Sequence, residues 1–305
     1  MKEKNFVSAV VYLRNDEARV PALLRMLHGV LAANFLAYEI ICVDDHSADG
    51  TVAAVKSAEP GEGGKLSVVR MSRHHGPEAA MNAGVDLAIG DFVLEFDSAA
   101  VDYDPGLVME VYRKALTGFD IVSARPNGRT SVGSRLFYAL FNRYASKQHS
   151  LGSESFRILS RRAINRVHAM SKTVPFRKAA YASCGLKMCA VQYKRTKRVR
   201  VAADGSKRYE LAVNSLVLFT DVGYKLAKWL TLLMMLMTLG FAVYTVVVYF
   251  GASPVEGWTT TMLLASAGFF GMFAILTVVV KYLSILTGLV FMRQKYNIEG
   301  IEKLF

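Results

Sequence analysis

Two long apolar stretches near the carboxyl end are the strongest constraint on how this chain can fold. Residues 229–255 carry no formal charge over 27 positions, and residues 257–280 carry none over 24. About 20 apolar residues in a helix, each rising about 1.5 Å, are enough to cross a bilayer. Two buried helices of a soluble protein are the alternative, but little of the chain would be left to cover them. The sequence therefore predicts transmembrane helices at about 229–251 and 258–280.

The charges beside these stretches predict the orientation of the hairpin. Lys225 and Lys228 precede the first stretch, and Lys281 follows the second. The short connector between them carries Glu256 and no basic residue. Because basic residues flank the cytoplasmic ends of membrane helices, we expect both ends of the hairpin to face the cytoplasm.

The distribution of charge divides the chain into three parts. Residues 1–208 are rich in charged residues and are expected to form a cytoplasmic domain. Residues 209–228 mix apolar, acidic and basic residues, which predicts amphipathic juxtamembrane helices. Residues 229–305 would contain the two membrane helices and a cytoplasmic carboxyl-terminal tail. The apolar start of this tail could lengthen the second helix or lie at the membrane interface.

The overall composition is basic, with a formal net charge of +12 over 305 residues. An excess of positive charge is typical of proteins that bind nucleic acid, an anionic membrane surface or phosphorylated substrates. No nucleic-acid-binding motif accompanies the charge, so we expect no nucleic-acid partner. The three cysteines lack the regular spacing of a disulfide framework, which favours a reducing compartment.

Strand and helix patterns alternate through the first hundred residues. This alternation predicts right-handed βαβ units and an α/β fold with a doubly wound, mostly parallel sheet. In such sheets ligands bind beyond the carboxyl ends of the strands. The strand patterns cover residues 6–13, 38–43, 66–71 and 92–96, and the helix patterns cover residues 17–32, 77–88 and those from 49 onwards.

Polar residues gather where three of these strands end. Asn15 and Glu17 follow the first strand, Asp44 and Asp45 the second, and Asp97 the fourth. Such residues after a strand are often helix caps and turn formers. Their recurrence at three equivalent positions instead favours a binding edge that could hold a nucleotide.

Three motifs carry a resemblance to a known family. VYLRNDE at 11–17 resembles V-P-x-Y-N-E-E, VDDHSADGT at 43–51 resembles VDD-x-S-x-D-G-T, and GPEAAMNAG at 76–84 with GD at 90–91 resembles G-x-x-x-A-x-N-x-G…GD. Together they resemble glycosyltransferase family 2, whose members have the GT-A fold. With the two-helix hairpin, the resemblance narrows to the polyprenyl-phosphate glycosyltransferases, which include dolichyl-phosphate mannose synthase-like enzymes. It extends over essentially the whole chain, and the second motif is the most specific.

The resemblance implies a reaction, its partners and a location. The chain would be an inverting hexosyltransferase that transfers a sugar from a nucleotide-sugar donor to a polyprenyl phosphate. The product would be a lipid-linked sugar for cell-envelope or glycan modification. The resemblance also implies a bacterial inner (plasma) membrane, a cytoplasmic catalytic domain and possible homo-oligomers.

The same resemblance implies which residues bind the donor and its metal. Asp97 would be the first acid of the D-x-D motif and would hold Mg²⁺ or Mn²⁺ on the donor diphosphate. Both cations prefer hard oxygen ligands and neutralise a leaving diphosphate. The implied donor-binding residues are Asn15, Glu17, Asp44, Asp45 and Asn82.

The sequence departs from this metal motif at the position of the second acid, where it has Ala99. Asp102 and Asp104 follow closely, but at the wrong spacing to replace it. Asp97 would then hold the cation with waters and phosphate oxygens, so we expect weak metal binding.

A second departure lies in the segment Glu154-Ser155-Phe156-Arg157, where the family usually has G-D-F-R. Ser155 replaces the acid near the reaction centre, and Glu154 lies one position earlier. An enzyme that deprotonates a sugar hydroxyl needs such a base. A lipid phosphate, with a second pKa of about 6, is largely ionised at neutral pH and needs it less. Asp97, Glu154 and Arg157 are therefore the candidate catalytic residues.

A basic segment precedes the predicted juxtamembrane helices. Arg195, Arg198 and Lys207 are candidates for binding substrate phosphates or lipid. The alternative is attraction to anionic headgroups without any specific site. His74 and His75 are expected to pack in a loop or contact the donor, because adjacent residues at a strand end point in different directions.

Two alternatives stay open at this point. The substitutions at Ala99 and Ser155 would also suit a non-catalytic relative, which acts as a binding or assembly partner in envelope-glycan export. A transferase with a different lipid or glycan acceptor is the other alternative.

Overall fold

The structure, a computed structural model, describes residues 2–58, 63–128, 152–170, 176–196, 222–251, 256–290 and 296–304. The chain divides into two compact units, Met1–Ser215 with Phe291–Phe305, and Leu216–Val290. Most of the predicted juxtamembrane segment lies outside the described residues, and so do Arg198 and Lys207.

One mixed sheet organises the first unit. Its eight described strands lie in the order β7-β5-β6-β4-β1-β2-β3-β8. β1 pairs in parallel with β2 and β4, and β2 pairs in parallel with β3. β6 runs antiparallel to β4 and β5, and β5 pairs in parallel with β7. The strands are β1 (Val7–Leu13), β2 (Tyr38–Asp44), β3 (Gly64–Met71), β4 (Phe92–Phe96), β5 (Ile121–Pro126), β6 (Phe156–Ser160), β7 (Met188–Tyr193) and β8 (Ile298–Lys303).

Helices connect the parallel strands, which confirms the predicted doubly wound, mostly parallel α/β fold. α1, α2 and α3 join β1, β2, β3 and β4 in turn. The first unit contains α1 (Val20–Asn34), α2 (Thr51–Lys56), α3 (Pro77–Leu87), α4 (Gly106–Leu116), α5 (Arg161–Met170) and α6 (Arg177–Ser183).

The central strands are short apolar runs because helices cover both faces of the sheet. Every residue of β1 is buried except Tyr12, which is partly buried. α3 approaches the sheet closely at Gly84, where an added Cβ would lie 2.5 Å from Val10 and 2.6 Å from Val43. This close approach packs the later part of α3 directly against β1 and β2.

The apolar start of the tail lengthens the second long helix, which runs to Val290, as one of the two expectations has it, and the residues that follow return to the sheet. Residues 298–303 form β8, which pairs antiparallel with β3 at the edge of the sheet. Glu302 forms an ion pair of 2.5 Å with Lys56, and Tyr296 donates a hydrogen bond to Asp86. The pattern of this strand is a weak signal, because the strand is short and its partner lies more than 200 residues earlier.

The second unit contains two long helices, α7 (Val222–Gly251) and α8 (Trp258–Val290), which pack against each other. Within them, Ala227–Gly251 and Trp258–Leu283 are long and apolar enough to cross a membrane. Large apolar side chains on both helices are exposed, including Phe250 at 82% and Leu264 at 75%. Exposed apolar surface of this extent marks a membrane or protein contact.

Candidate active site

The carboxyl ends of β1, β2 and β4 meet at one edge of the sheet. Leu13 pairs with Asp44 in the neighbouring strand, and Val11 pairs with Phe96 on the other side. Asp45 and Asp97, the residues that follow β2 and β4, therefore flank the end of β1. This is the edge at which the sequence predicted the site.

Asp45 is fully buried and organises the loop before α3. Its Oδ1 accepts a hydrogen bond from the backbone N–H of His75 at 2.8 Å, and its Oδ2 accepts one from that of Gly76 at 2.9 Å. The Tyr12 hydroxyl donates to Oδ2 at 3.0 Å, and His74 Nδ1 lies 2.8 Å from the same oxygen. Burial and then the charge of Asp45 raise the pKa of Tyr12, so this hydroxyl stays protonated and donates.

Two of the predicted donor-binding residues shape the turn after β2. The side-chain oxygen of Asn15 accepts a hydrogen bond from the Ala48 N–H at 2.9 Å, and Glu17 accepts one from the Gly50 N–H at 3.0 Å. Asn15 and His46 have positive φ angles of 51° and 59°. Non-glycine residues rarely adopt this conformation, and it occurs often at functional sites.

Asp44 and Asn82 lie deeper on the same side of the sheet. Asp44 is 4% exposed, and its Oδ1 is buried with no hydrogen-bond partner among the described residues. Its Oδ2 accepts a hydrogen bond from the Ser47 N–H at 3.3 Å. Asn82 is buried on α3. Leaving a buried carboxylate oxygen unpaired costs free energy. Among the residues predicted to bind the nucleotide-sugar donor, Asp44 therefore has an oxygen that could accept a hydrogen bond from a ligand.

Asp97 is held by two buried arginines. Its Oδ1 accepts a hydrogen bond of 2.6 Å from Arg177 Nη2, and its Oδ2 accepts one of 2.6 Å from Arg157 Nη2. Both arginine side chains are 1% exposed, whereas Asp97 is 25% exposed. Short hydrogen bonds between ionised groups are the strong ones.

Further carboxylates surround the two arginines. Glu95 is fully buried between them, 2.6 Å from Arg157 Nη1 and 3.0 Å from Arg177 Nη1. It also accepts a hydrogen bond of 2.7 Å from the Tyr181 hydroxyl. The Arg177 Nη1 makes no aligned hydrogen bond among the described residues, so its contact with Glu95 is electrostatic.

The outer members of this cluster are two more glutamates. Glu154 lies 3.1 Å from Arg157 Nε, and Glu78 lies 3.1 Å from Arg177 Nε. Arg125 reaches Glu154 at 3.4 Å from outside. Four carboxylates therefore surround two buried guanidinium groups, and we call these six residues the arginine cluster: Glu78, Glu95, Asp97, Glu154, Arg157 and Arg177.

The charges of the arginine cluster fix its protonation states. Burial alone would raise the pKa of Asp97, but the charges of Arg157 and Arg177 outweigh it and hold that pKa well below its ordinary value. Burial lowers the pKa of Arg157, but Asp97 and Glu95 outweigh it and raise the pKa above its ordinary value. Asp97 is therefore an anion, and Arg157 is a cation, across the whole physiological range.

Ser155 stands where the family pattern has an acid, and its hydroxyl lies 2.5 Å from the Tyr193 hydroxyl. Tyr193 donates to Asp102 at 2.7 Å, and Arg195 Nε forms an ion pair with Asp102 at 3.0 Å. Burial raises the pKa of Tyr193 to about 12, so its hydroxyl keeps its proton at neutral pH. Asp102 is thus occupied by Tyr193 and Arg195.

The side chains around Asp97 do not fit a divalent cation. Ala99, at the position of the second acid, is 2% exposed and belongs to the hydrophobic core. Asp102 already binds Tyr193 and Arg195, and Asp104 accepts a hydrogen bond from the Gly106 N–H at 2.8 Å. No group of three or more His, Cys, Asp and Glu side chains is arranged to hold a metal ion in the described part of the chain.

The sequence predicts Asp97, Glu154 and Arg157 as catalytic residues, and the structure brings these three together. The sequence does not indicate Arg177, which lies 80 residues from Asp97 along the chain and in no motif. Glu95 is not among the predicted residues either, although an acid inside the apolar strand FVLEF is a visible signal that a buried cation lies nearby. The predicted roles of these residues in binding and catalysis stay predictions.

Comparison with known proteins places the fold and the motifs in a family. The pattern described as Glycosyl transferase family 2 matches residues 8–182, more than half of the chain. An uncharacterized glycosyltransferase of Synechocystis is 26% identical over 248 residues, 79% of this chain and 77% of that protein. The undecaprenyl-phosphate 4-deoxy-4-formamido-L-arabinose transferase of Aeromonas hydrophila is 33% identical over 142 residues, 46% of this chain and 43% of that protein.

Solved structures show the same fold. Mannosyl-3-phosphoglycerate synthase from Rubrobacter xylanophilus superposes with a TM-score of 0.52 at 20% identity, over 70% of this chain and 72% of that one. Glucosyl-3-phosphoglycerate synthase from Mycobacterium tuberculosis, in complex with Mn²⁺, UDP-glucose and phosphoglyceric acid, gives a TM-score of 0.50 at 14% identity. That match covers 70% of this chain and 78% of that one. With its GT-A-like sheet and the family pattern over residues 8–182, this chain belongs to glycosyltransferase family 2.

Proposed function

We propose that this chain is an inverting glycosyltransferase that transfers a sugar from a nucleotide-sugar donor to a polyprenyl phosphate in a membrane. Membership of family 2 supports the transfer of a sugar. The resemblance to undecaprenyl-phosphate 4-deoxy-4-formamido-L-arabinose transferases, at 33% identity over 142 residues, supports a polyprenyl-phosphate acceptor.

The placement of Glu154 is the observation that supports the choice of a phosphate acceptor. This carboxylate lies 3.1 Å from Arg157 Nε and 3.4 Å from Arg125 Nη2. Glu154 therefore accepts hydrogen bonds from two guanidinium groups and is held as part of the arginine cluster, rather than lying as a separate carboxylate beside an acceptor hydroxyl. Ser155, at the position of the usual acid, has no ionisable group at neutral pH. Such a centre favours an acceptor that is already ionised, as a lipid phosphate is.

The reaction then needs no proton removal. A phosphate oxygen of the acceptor attacks the anomeric carbon of the donor sugar and forms the new C–O bond. The bond from that carbon to the donor diphosphate breaks, and the nucleoside diphosphate leaves with the electron pair. The contribution of the protein is positioning of the two substrates and stabilisation of the charge on the leaving diphosphate. Asp45 and Asp44 would lie at the nucleoside end of this path, and the arginine cluster at the diphosphate end.

Two features support attachment to a membrane with both flanking segments on one side. The spans Ala227–Gly251 and Trp258–Leu283 supply a hairpin. β8 follows the second span and pairs with β3, which precedes the first. A chain whose two flanks share one sheet must cross the membrane an even number of times. Together with the basic flanks, this supports a cytoplasmic domain and two crossings, as in a bacterial inner membrane.

Transfer to extracted lipid tests this proposal. The full-length protein in detergent is incubated with undecaprenyl phosphate and, in turn, with radiolabelled sugar conjugates of UDP, GDP and CDP. We expect one donor to deliver label to the organic-solvent extract, and only when the lipid phosphate is present. Asp45→Asn should lower this transfer by about tenfold or more, because the loop before α3 loses the charge that holds it. Glu110→Gln, an exposed change on α4, is the matched control.

Each other outcome has a distinct meaning. Donor binding without lipid product for any sugar would show that the acceptor belongs to another class. Neither binding nor product, in protein with a normal thermal unfolding midpoint, would favour the non-catalytic role in envelope-glycan export. Equal loss in Asp45→Asn and Glu110→Gln would remove the support for a donor site at the end of β2.

A further inference from the structure

The arginine cluster bears on how the donor diphosphate is held, an inference that rests on the proposed function. In a metal-dependent transferase a divalent cation bridges carboxylates and the diphosphate. Here both oxygens of Asp97 already accept hydrogen bonds of 2.6 Å from Arg157 and Arg177. A cation at this carboxylate would have to share each oxygen with a guanidinium group.

Placing a divalent cation at Asp97 would be unfavourable for two reasons. A cation that took the place of a guanidinium group would leave a buried charge without its partner, which is strongly destabilising. It would also lie beside the remaining positive charges of Arg157 and Arg177, whose side chains are each 1% exposed and cannot turn to solvent.

No second acid is present to offset that cost. Ala99 replaces it and is buried in the hydrophobic core. Asp102 is paired with Arg195 at 3.0 Å, and Asp104 caps the start of α4 through the Gly106 N–H. Mg²⁺ and Mn²⁺ bind through several oxygen ligands, and in the described part of the chain no group of three or more His, Cys, Asp and Glu side chains is arranged to hold such an ion.

A cation without an ion-pair partner lies next to the cluster. Lys178 follows Arg177 on α6 and is partly exposed. It makes no ion pair or hydrogen bond among the described residues, in contrast to the arginines beside it. Its charge is also among those that lower the pKa of Asp97, after burial, Arg157 and Arg177, so it lies within electrostatic reach of that carboxylate.

We propose that this chain binds its nucleotide-sugar donor without a divalent cation, and that Lys178 supplies positive charge to the donor diphosphate in place of a metal. Lys178 follows Arg177, whose guanidinium group donates to Asp97 at 2.6 Å, and its side chain is partly exposed at this edge of the cluster. An ammonium group serves phosphates as a point charge and needs no fixed coordination geometry.

Nucleotide binding with and without metal tests the proposal. UDP, GDP and CDP are titrated by calorimetry into the full-length protein in detergent, once with Mn²⁺ and once with EDTA. For the nucleotide that binds, we expect the two Kd values to agree within about twofold. Lys178→Met should weaken binding in EDTA by about tenfold, as the loss of one charge-assisted hydrogen bond does. Lys187→Met removes the same charge from an exposed position before β7 and should leave the Kd unchanged.

The outcomes separate this inference from the function on which it rests. Binding that weakens about tenfold or more in EDTA would overturn the metal-free site and leave a nucleotide-dependent transferase in place. An unchanged Kd in Lys178→Met, with EDTA also without effect, would overturn the role of the lysine. Absence of binding by every nucleotide in both conditions would overturn both proposals. The comparison of Mn²⁺ with EDTA uses the unchanged protein, so it does not depend on the folding of any variant.

Discussion

Replacing Arg177 by methionine removes one of the two cations on which the arginine cluster depends. Glu95, Asp97 and Glu154 would then share Arg157 as the one remaining cation of the cluster, and Glu78 would lose the guanidinium group that it contacts. Removing one partner of a buried ion pair costs about 3–5 kcal/mol, because the other charge stays buried and unpaired. For a domain of this size about 1 kcal/mol shifts the unfolding midpoint by about 2–4 °C, so we expect a fall of roughly 6–20 °C.

The assay is thermal unfolding of the full-length protein in detergent, followed by intrinsic fluorescence at one heating rate. Arg113→Met, an exposed change on α4, is the matched control and should shift the free energy of unfolding by no more than about 0.5 kcal/mol. Adding Glu95→Gln to Arg177→Met should recover part of the lost stability, because it neutralises a buried acid that has lost a cation. A double variant less stable than Arg177→Met alone would refute this account of the cluster.

Two further predictions concern the same domain. The charges of Arg157 and Arg177 outweigh burial and hold the pKa of Asp97 in the folded protein below its unfolded value of about 3.9. The contribution of Asp97 to stability is therefore complete above that pH and is lost as the pH falls below it. Unfolding midpoints measured from pH 7 to pH 3 should therefore decline at the acid end, and a decline no larger than that of an Asp97→Asn variant would contradict this. Gly84→Ala should lower the free energy of unfolding by about 1–3 kcal/mol, because the added Cβ would lie 2.5 Å from Val10. Gly29→Ala on α1 is the control: an added Cβ there has nothing within 4 Å, so the change should be neutral or stabilising. Equal unfolding midpoints for the two alanine variants would contradict the close approach of α3.

The fold of the first hundred residues could be predicted because its signals are local. Each strand is a short apolar run, each helix follows within a few residues, and Asp45 and Asp97 directly follow the strands that position them. Parallel strands then bring these carboxylates to one edge without further information. The predicted strand at 92–96 coincides with β4.

The arginine cluster and β8 could not be predicted because their partners are distant in sequence. Arg177 contacts Glu78 across 99 residues and Asp97 across 80. β8 lies in a short segment after a long apolar helix, and its local pattern does not indicate the distant strand with which it pairs. Only the three-dimensional arrangement shows that Asp97, predicted as a metal ligand, faces two guanidinium groups.

The pairing of β8 with β3 also has a consequence for biosynthesis. Ser67 pairs with Lys303, so a contact across the sheet joins residues that leave the ribosome far apart in time. Until both apolar helices have been synthesised, β3 is an open strand edge on an otherwise assembled sheet, and such edges pair readily with other chains. Closing the sheet is therefore a late event that follows completion of the hairpin. Slow synthesis of the two apolar helices would prolong the exposure of that edge and favour aggregation of a domain whose own sequence is intact.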